Sequence, residues 1–342
     1  MSRRRERILS LATGFDTIIV LGQKNLFYLT DFWGGGIGVV ERDRTTVFTS
    51  VMEEKRAMET SIEARVVSAK GQAALYAEAK ARARGKVLLD QHGESLRGTV
   101  NGGLFLEARR KKDPEEVKRI TVATKKVEAL YELLETQVRP GRTEREIAGE
   151  VMRLATREGL APLAAEGSLS PLIVASGPNG ALPHAELSDR KLRKGDMVVA
   201  DLFFRYRGYC TDCTRTYAVS SIPDRWRESY AAVLEAQLKG VSLVRTGASG
   251  KEIHGAVRGV LAEHGLADYF THGTGHGVGI DIHERPSVGA LSTDTLSTGD
   301  VVTVEPGVYI PGRYGIRIED TLVVEERTRN LYTYTKDLLT LG

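Results

Sequence analysis

The chain has 342 residues, 41% hydrophobic and 27% charged, a soluble globular composition that excludes a wholly disordered or collagen-like polymer. Its 48 basic and 45 acidic residues leave a formal charge of +3, too near balance to make nucleic acid the expected partner. At roughly 150 residues per domain the length predicts two domains, and no apolar run approaches the roughly 18 residues of a membrane span.

The opening MSRRRERILSLATGFDTIIV has neither a long apolar stretch nor a small-residue cleavage site. No signal peptide is expected, a cytoplasmic location is the default, and the RRRER run reads as a solvated terminus. Residues 1–110 read as a small α/β domain. TIIV (17–20), IGVV (37–40), TVFTS (46–50) and KVLLD (86–90) have strand length and β-branched content. Charged, alanine-rich stretches such as 70–84 suit helices over that sheet. Gly34–Gly36 marks a turn, because neither a lysine nor GxGxxG spacing follows it.

The charged segment ARRKKDPEEVKRI (108–120) marks a boundary, which leaves 111–342 as the second domain. Asp113-Pro114 followed by Glu115 and Glu116 starts a helix, which runs to about 138 and stops near Pro140-Gly141. The sequence then repeats. PGRTEREIAGEVMRLATREG (140–159) resembles TGASGKEIHGAVRGVLAEHG (246–265) at an offset of 106. In each copy a hydroxyl residue, Thr143 or Ser249, precedes a glutamate by three positions, which predicts a capping box. KGDMVVAD (194–201) matches TGDVVTVE (298–305), and CTDCTRTYAV (210–219) matches IRIEDTLVV (316–324). The expectation is an internal duplication: two helix-plus-hairpin halves about a pseudo-twofold axis, burying both sheets in a shared core.

The duplication pairs Asp201 with Glu305 and Asp212 with Glu319, all at or near the ends of apolar strands. Any one of them reads most simply as a turn or salt-bridge residue. Two matched pairs argue for convergence, since buried carboxylates are costly unless paired or liganded. Four such groups with one nitrogen donor suit two divalent ions. The nitrogen comes from THGTGHGVGIDIHERP (271–286), which holds His272, His276 and His283. Its repeated glycines let the backbone approach a site closely and oppose a helix, so this is not an HExxH motif. His276 is the expected ligand and His283 a catalytic group beside it, while His272 divides between a structural and a substrate-binding role. His184 lies in the loop ASGPNGALPHAELSD and is expected to contact substrate. Cys210 and Cys213, the only cysteines, supply half a tetrahedral zinc site and would point to opposite faces of a strand. They are expected to be structural free thiols.

These residues resemble the pita-bread metallopeptidases, the family of methionine aminopeptidase, aminopeptidase P, prolidase and the metal-free creatinase. The resemblance rests on Asp201, Asp212 in TDCTRT, His276 in GTGHGVG, Glu305 in VEPGVY and Glu319 in RIEDT, and is strongest over 174–325. The leading α/β domain points to the prolidase and aminopeptidase P branch. It implies a creatinase/prolidase-like N-terminal domain followed by a duplicated pita-bread domain. It also implies two divalent ions, manganese or cobalt with zinc as the alternative, held by Asp201, Asp212, His276, Glu305 and Glu319. Asp212 and Glu319 would bridge the ions and Glu305 would act as general base. His184 and His283 would stabilise the tetrahedral intermediate, and Arg317 would orient a carboxylate at the substrate site. The implied substrate is an Xaa-Pro peptide or dipeptide, and the implied assembly is a homodimer in which Trp33 is the aromatic to watch at a partner's site.

Two features depart from the family pattern. Relatives commonly carry glycine two positions after the first aspartate, where this chain has Phe203. Prolidases often place an arginine just after the HExP segment, where this chain has Ser287, with Arg285 nearer the histidine. The second departure favours an aminopeptidase over a strict dipeptidase. The rival readings are methionine aminopeptidase-like activity, another metallohydrolase cleaving a non-prolyl amide, and a non-catalytic binding protein on the same fold.

Overall fold

The computed structural model describes residues 3–93, 95–163 and 170–342. The chain divides into two compact units, Met1–Arg109 and Arg110–Gly342. In the first, a six-stranded mixed sheet runs in the order Ala64–Ala69, Thr45–Ser50, Gly36–Val40, Thr17–Val20, Val87–Leu89, Thr99–Val100. The helix Gln72–Arg82 packs Leu75 and Ala79 against Ile19, Ile37, Val39, Phe48 and Leu89. Trp33 meets the Phe27 ring edge-on at 5.1 Å. The basic opening departs from expectation: Arg3–Leu11 is a helix in which Arg4 and Arg5 are buried. Arg4 donates to Asp31 Oδ1 at 2.9 Å and to the Tyr28 carbonyl at 3.0 Å, so its charge is neutralised inside the unit.

The second unit carries the duplication. Helices Pro114–Gln137 and Glu144–Arg157 serve one half, and Asp224–Leu243 and Gly250–Glu263 the other. Asp113 and Thr143 close full capping boxes with Glu116 and Glu146. Ser249 forms only half of one, accepting from the Glu252 amide at 3.4 Å. Backbone bonds repeat between halves. Gly141 N donates to Leu192 O and Gly247 N to Leu296 O, both at 2.8 Å, and isolated bridges join Thr143 to Lys191 and Ser249 to Thr295.

Each half contributes a sheet: Thr340–Leu341, Thr214–Val219, Met197–Asp201, Ile173–Ser176 in one, and Glu284–Val288, Gly275–Gly277, Val301–Val304, Asp320–Val323, Arg329–Asn330 in the other. Side chains alternate along the central strands of these sheets, as pleating requires, with a register shift between His276 and Gly277. Val198, Ala200, Leu202 and Phe204 enter the core beneath the first pair of helices, and Val302, Val304, Leu322 and Val324 enter the equivalent core of the second half. The shared core of the sequence expectation is therefore resolved into two outer cores. A third cluster, including Met197, Ala218, Val257, Phe270 and Ile316, joins the halves. Asp201, Asp212, Glu305 and Glu319 have the opposite parity from the outer-core residues of their strands.

Candidate metal centre

Pleating and interruption together aim the acidic side chains inward. Asp201 ends its strand and Glu305 follows Val304, while Asp212 and Glu319 each fall in a break between two strands, Tyr209–Thr211 and Thr214–Val219, and Tyr314–Arg317 and Asp320–Val323. His276 is central in Gly275–Gly277, a strand that only glycine-flanked backbone can seat. A Cβ at Gly275 would lie 2.0 Å from the Thr303 carbonyl, and one at Gly277 2.3 Å from that of Arg285.

All five expected ligands, with His184, His272, His283 and Arg317, line one cavity of about 280 Å³. Ligand atoms of Asp212, His276 and Glu319 lie within 4.8 Å of one another, the one such group among the described residues. His276 Nε2 is 3.6 Å from Asp212 Oδ2 and 3.3 Å from Glu305 Oε1. Asp201 sits at the side of the group and accepts from Arg317 Nη2 at 2.6 Å.

Electrostatics show what this donor set lacks. Burial, reinforced by Glu319 and the other acids, pushes the Asp212 carboxyl well above its ordinary range. Glu319 is raised likewise by burial and by Glu305 and Asp201. Burial also raises Asp201, although Arg317 opposes it. For Glu305 burial is outweighed by the bond to His276, which lowers the carboxyl, and the same bond overcomes burial of the imidazole to raise His276. Asp201 Oδ1 and Glu319 Oε1 are buried without a hydrogen-bond partner. Acids that repel one another and leave lone pairs unsatisfied fit divalent cations, which would reverse both penalties.

The remaining candidates separate by contact. The His283 ring stands edge-on to His276 at 4.3 Å, and loss of surrounding water together with the charge of His276 holds it down to about 4. His184 is exposed on the cavity rim. His272 Nδ1 meets the Gly273 carbonyl at 2.7 Å and Nε2 meets the Tyr309 hydroxyl at 2.8 Å, so both ring nitrogens are engaged within the protein. Arg317 also donates to Thr214 Oγ1 at 3.0 Å, the Tyr309 hydroxyl at 2.7 Å and the Pro183 carbonyl at 3.3 Å. The carboxylate it orients is Asp201. Arg285 is paired with Asp294 and Ser287 N with the same carboxylate. Cys210 and Cys213 are buried free thiols bonded to the carbonyls of Ile280 and Glu319.

Sequence reasoning missed Thr214, Thr303 and Tyr309. Thr214 Oγ1 donates to Glu319 Oε2 at 2.8 Å, and Thr303 Oγ1 accepts from His276 N at 3.0 Å. For Thr214 and Thr303 the available signal was a spacing of two residues from Asp212 and Glu305; Tyr309, on Gly307–Ile310, had none.

The model of metallopeptidase family M24 matches residues 118–326, and that of the creatinase/prolidase N-terminal domain matches residues 4–96. The chain belongs to metallopeptidase family M24: it is a metallopeptidase with a creatinase/prolidase-like N-terminal domain and a pita-bread catalytic fold. It is 32% identical to a Xaa-Pro dipeptidase of Pyrococcus furiosus, over 98% of this chain and 99% of that protein. Among solved structures it resembles a Xaa-Pro dipeptidase from Bacillus anthracis (TM-score 0.88, 31% identity, 99% of both chains). It likewise resembles an X-Pro aminopeptidase from Thermotoga maritima (TM-score 0.88, 27% identity, 99% and 100% coverage). No helix among the described residues is long and apolar enough to cross a membrane.

Proposed function

We propose that this chain is a dinuclear metal-dependent peptidase that cleaves the Xaa-Pro bond at the start of peptides. The observation that carries the reading is the convergence of Asp212, His276 and Glu319, with Asp201 Oδ1 and Glu319 Oε1 buried and unbonded. Asp201, Asp212, His276, Glu305 and Glu319 would hold two divalent ions, and the oxygen-rich donor set favours manganese or cobalt, with zinc the alternative. Bound there, the ions would polarise the scissile carbonyl and lower the proton affinity of the attacking water. Glu305 takes the water's proton and passes it to the departing proline nitrogen. His184 and His283 face the scissile carbonyl from the rim and donate to its oxygen as charge develops. Arg317, through Asp201, positions the cluster without touching the peptide.

Relatives named for Xaa-Pro dipeptidase and for X-Pro aminopeptidase support the prolyl substrate. Preference for longer peptides is supported by the commitments of the cations. Arg317 is spent on four protein partners and Arg285 is paired with Asp294, so neither is disposed to clamp a dipeptide's carboxylate. The dipeptidase reading is favoured by the full-length likeness to the Pyrococcus furiosus dipeptidase. A cytoplasmic homodimer, the assembly the family resemblance implies, completes the proposal.

The test compares Xaa-Pro dipeptides, Xaa-Pro tripeptides and Met-Xaa peptides in the presence of manganese, cobalt or zinc. Tripeptides should be hydrolysed best, and Glu305→Ala should abolish hydrolysis while circular dichroism shows an intact fold. Hydrolysis of the Met-Xaa set alone, or full activity in the variant, overturns the reading.

A further inference from the structure

Phe203 is the one marked departure at the site that the reaction does not use. Leu202 and Phe204 enter the outer core, whereas Phe203, only 6% exposed, lines the metal-centre cavity. It falls in the break between Met197–Asp201 and Phe204–Tyr206, two residues after Asp201, and lines the same cavity as that carboxylate. On the neighbouring strand, Leu172 and Val174 likewise enter the core, and Ile173, which pairs across from Asp201, lines the cavity. Phe203 and Ile173 thus give the cavity that holds Asp201 an apolar part of its wall. The backbone on both sides of Phe203 is pinned: Leu202 N donates to the Cys213 carbonyl at 2.9 Å, and Phe204 pairs with Thr211 in the next strand. Those pairings fix the point on the backbone from which the ring projects into the cavity.

A substrate's first residue carries its free ammonium, the one cation of a neutral-sided peptide. The scissile carbonyl belongs to that same residue, so a peptide held with this carbonyl at the metal centre has its first side chain in the cavity whose wall includes Ile173 and Phe203. We propose that Phe203 sets the size limit of the first residue, so that the site accepts glycine, alanine or serine before proline and disfavours leucine, methionine or phenylalanine. This inference rests on the Xaa-Pro reading given above and narrows its substrate class. One methylene in an apolar pocket is worth roughly 10–200-fold in discrimination, so a ring occupying the space of a side chain should select by at least about 10-fold.

The experiment measures kcat/KM for Ala-Pro-Ala and Leu-Pro-Ala with the metal-loaded full chain, Phe203→Gly and Phe203→Ala. Calorimetric Kd values for the uncleavable reduced-amide analogues of both peptides are measured in parallel. The wild type should favour the alanyl peptide, and the leucyl-to-alanyl ratio should rise about 10-fold or more in Phe203→Gly and in the same direction in Phe203→Ala. The second variant serves if the glycine variant fails to fold. Hydrolysis with an unchanged ratio overturns the size limit while the Xaa-Pro reading stands. No hydrolysis by any variant, with the Kd ratio shifted as expected, overturns the Xaa-Pro reading while the size limit stands. Analogues that fail to bind, or that bind with an unchanged ratio, overturn the size limit.

Discussion

Arg317 and Asp201 lie 116 residues apart, in opposite halves of the duplication, and are joined by a charge-assisted hydrogen bond of 2.6 Å between Nη2 and Oδ2. Both side chains are buried. Burial raises the Asp201 carboxyl and the guanidinium opposes that rise, so Arg317 favours the ionised form that could serve as a ligand. Thr214 and Tyr309 hold the guanidinium, and His272 engages the Tyr309 hydroxyl in turn.

Removing this brace should weaken metal binding without deleting a ligand. Arg317→Ala should lower metal affinity by about 10–100-fold, the usual cost of losing a residue that orients a ligand. Arg317→Lys retains the charge and loses the planar fork, so an intermediate loss is expected. Calorimetric titration of metal-free protein measures both, and wild-type affinity in the alanine variant would contradict the role.

Glu144 predicts a stability effect close to the His184 loop. Its fully buried carboxylate accepts from Ser176 N and Oγ, both at 2.7 Å, from Asn179 Nδ2 at 3.1 Å and from Ser188 Oγ at 2.6 Å. Those contacts clasp the two ends of the segment that carries His184. Glu144→Ala strands the buried Ser176 amide and hydroxyl, each costing about 1–3 kcal/mol, so destabilisation of about 3 kcal/mol is expected. Glu144→Gln keeps one oxygen acceptor and should lose less. Urea unfolding curves at neutral pH compare the two, and equal midpoints for wild type and the alanine variant would refute the assignment.

His254 predicts a pH dependence. It is buried, contacts Thr274 Oγ1 through Nδ1 at 3.0 Å and stacks obliquely on Phe270. Burial first, and Arg258 second, hold its pKa below the ordinary 6.5. Below pH 6.5 the unfolded chain binds a proton that the folded chain refuses, so this contribution is complete above 6.5 and is lost as pH falls toward the folded value. The slope from this group is at most about 1.4 kcal/mol per pH unit. His254→Asn should flatten the stability profile between pH 5 and 7, as read from urea midpoints, and an unchanged slope would exclude the effect.

Periodicity and repetition made much of this fold legible. TIIV, IGVV, TVFTS and the two matched strands 194–201 and 298–305 declare themselves by apolar runs, and Asp201 and Glu305 stand out because a charge closes each run. The strand Ala64–Ala69 was missed because its flanking charges hide it, and it is held by parallel pairing with Thr45–Ser50, a tertiary contact. Arg4 read as solvated because its partner Asp31 is distant in sequence. Thr214 and Tyr309 are ordinary strand residues until folding brings Arg317 against them. Duplication gave the ligands away in pairs, while Arg317 falls opposite Cys210 and Thr303 opposite Val199, so these two braces leave no repeat to find.

The most direct measurement is a calorimetric titration of metal-free protein with manganese, with Ala-Pro-Ala hydrolysis assayed on the same samples. Two ions bound per chain, and hydrolysis that rises with loading, are the expected result. Failure to bind manganese, cobalt or zinc, or full hydrolysis by the metal-free protein, would contradict the dinuclear peptidase.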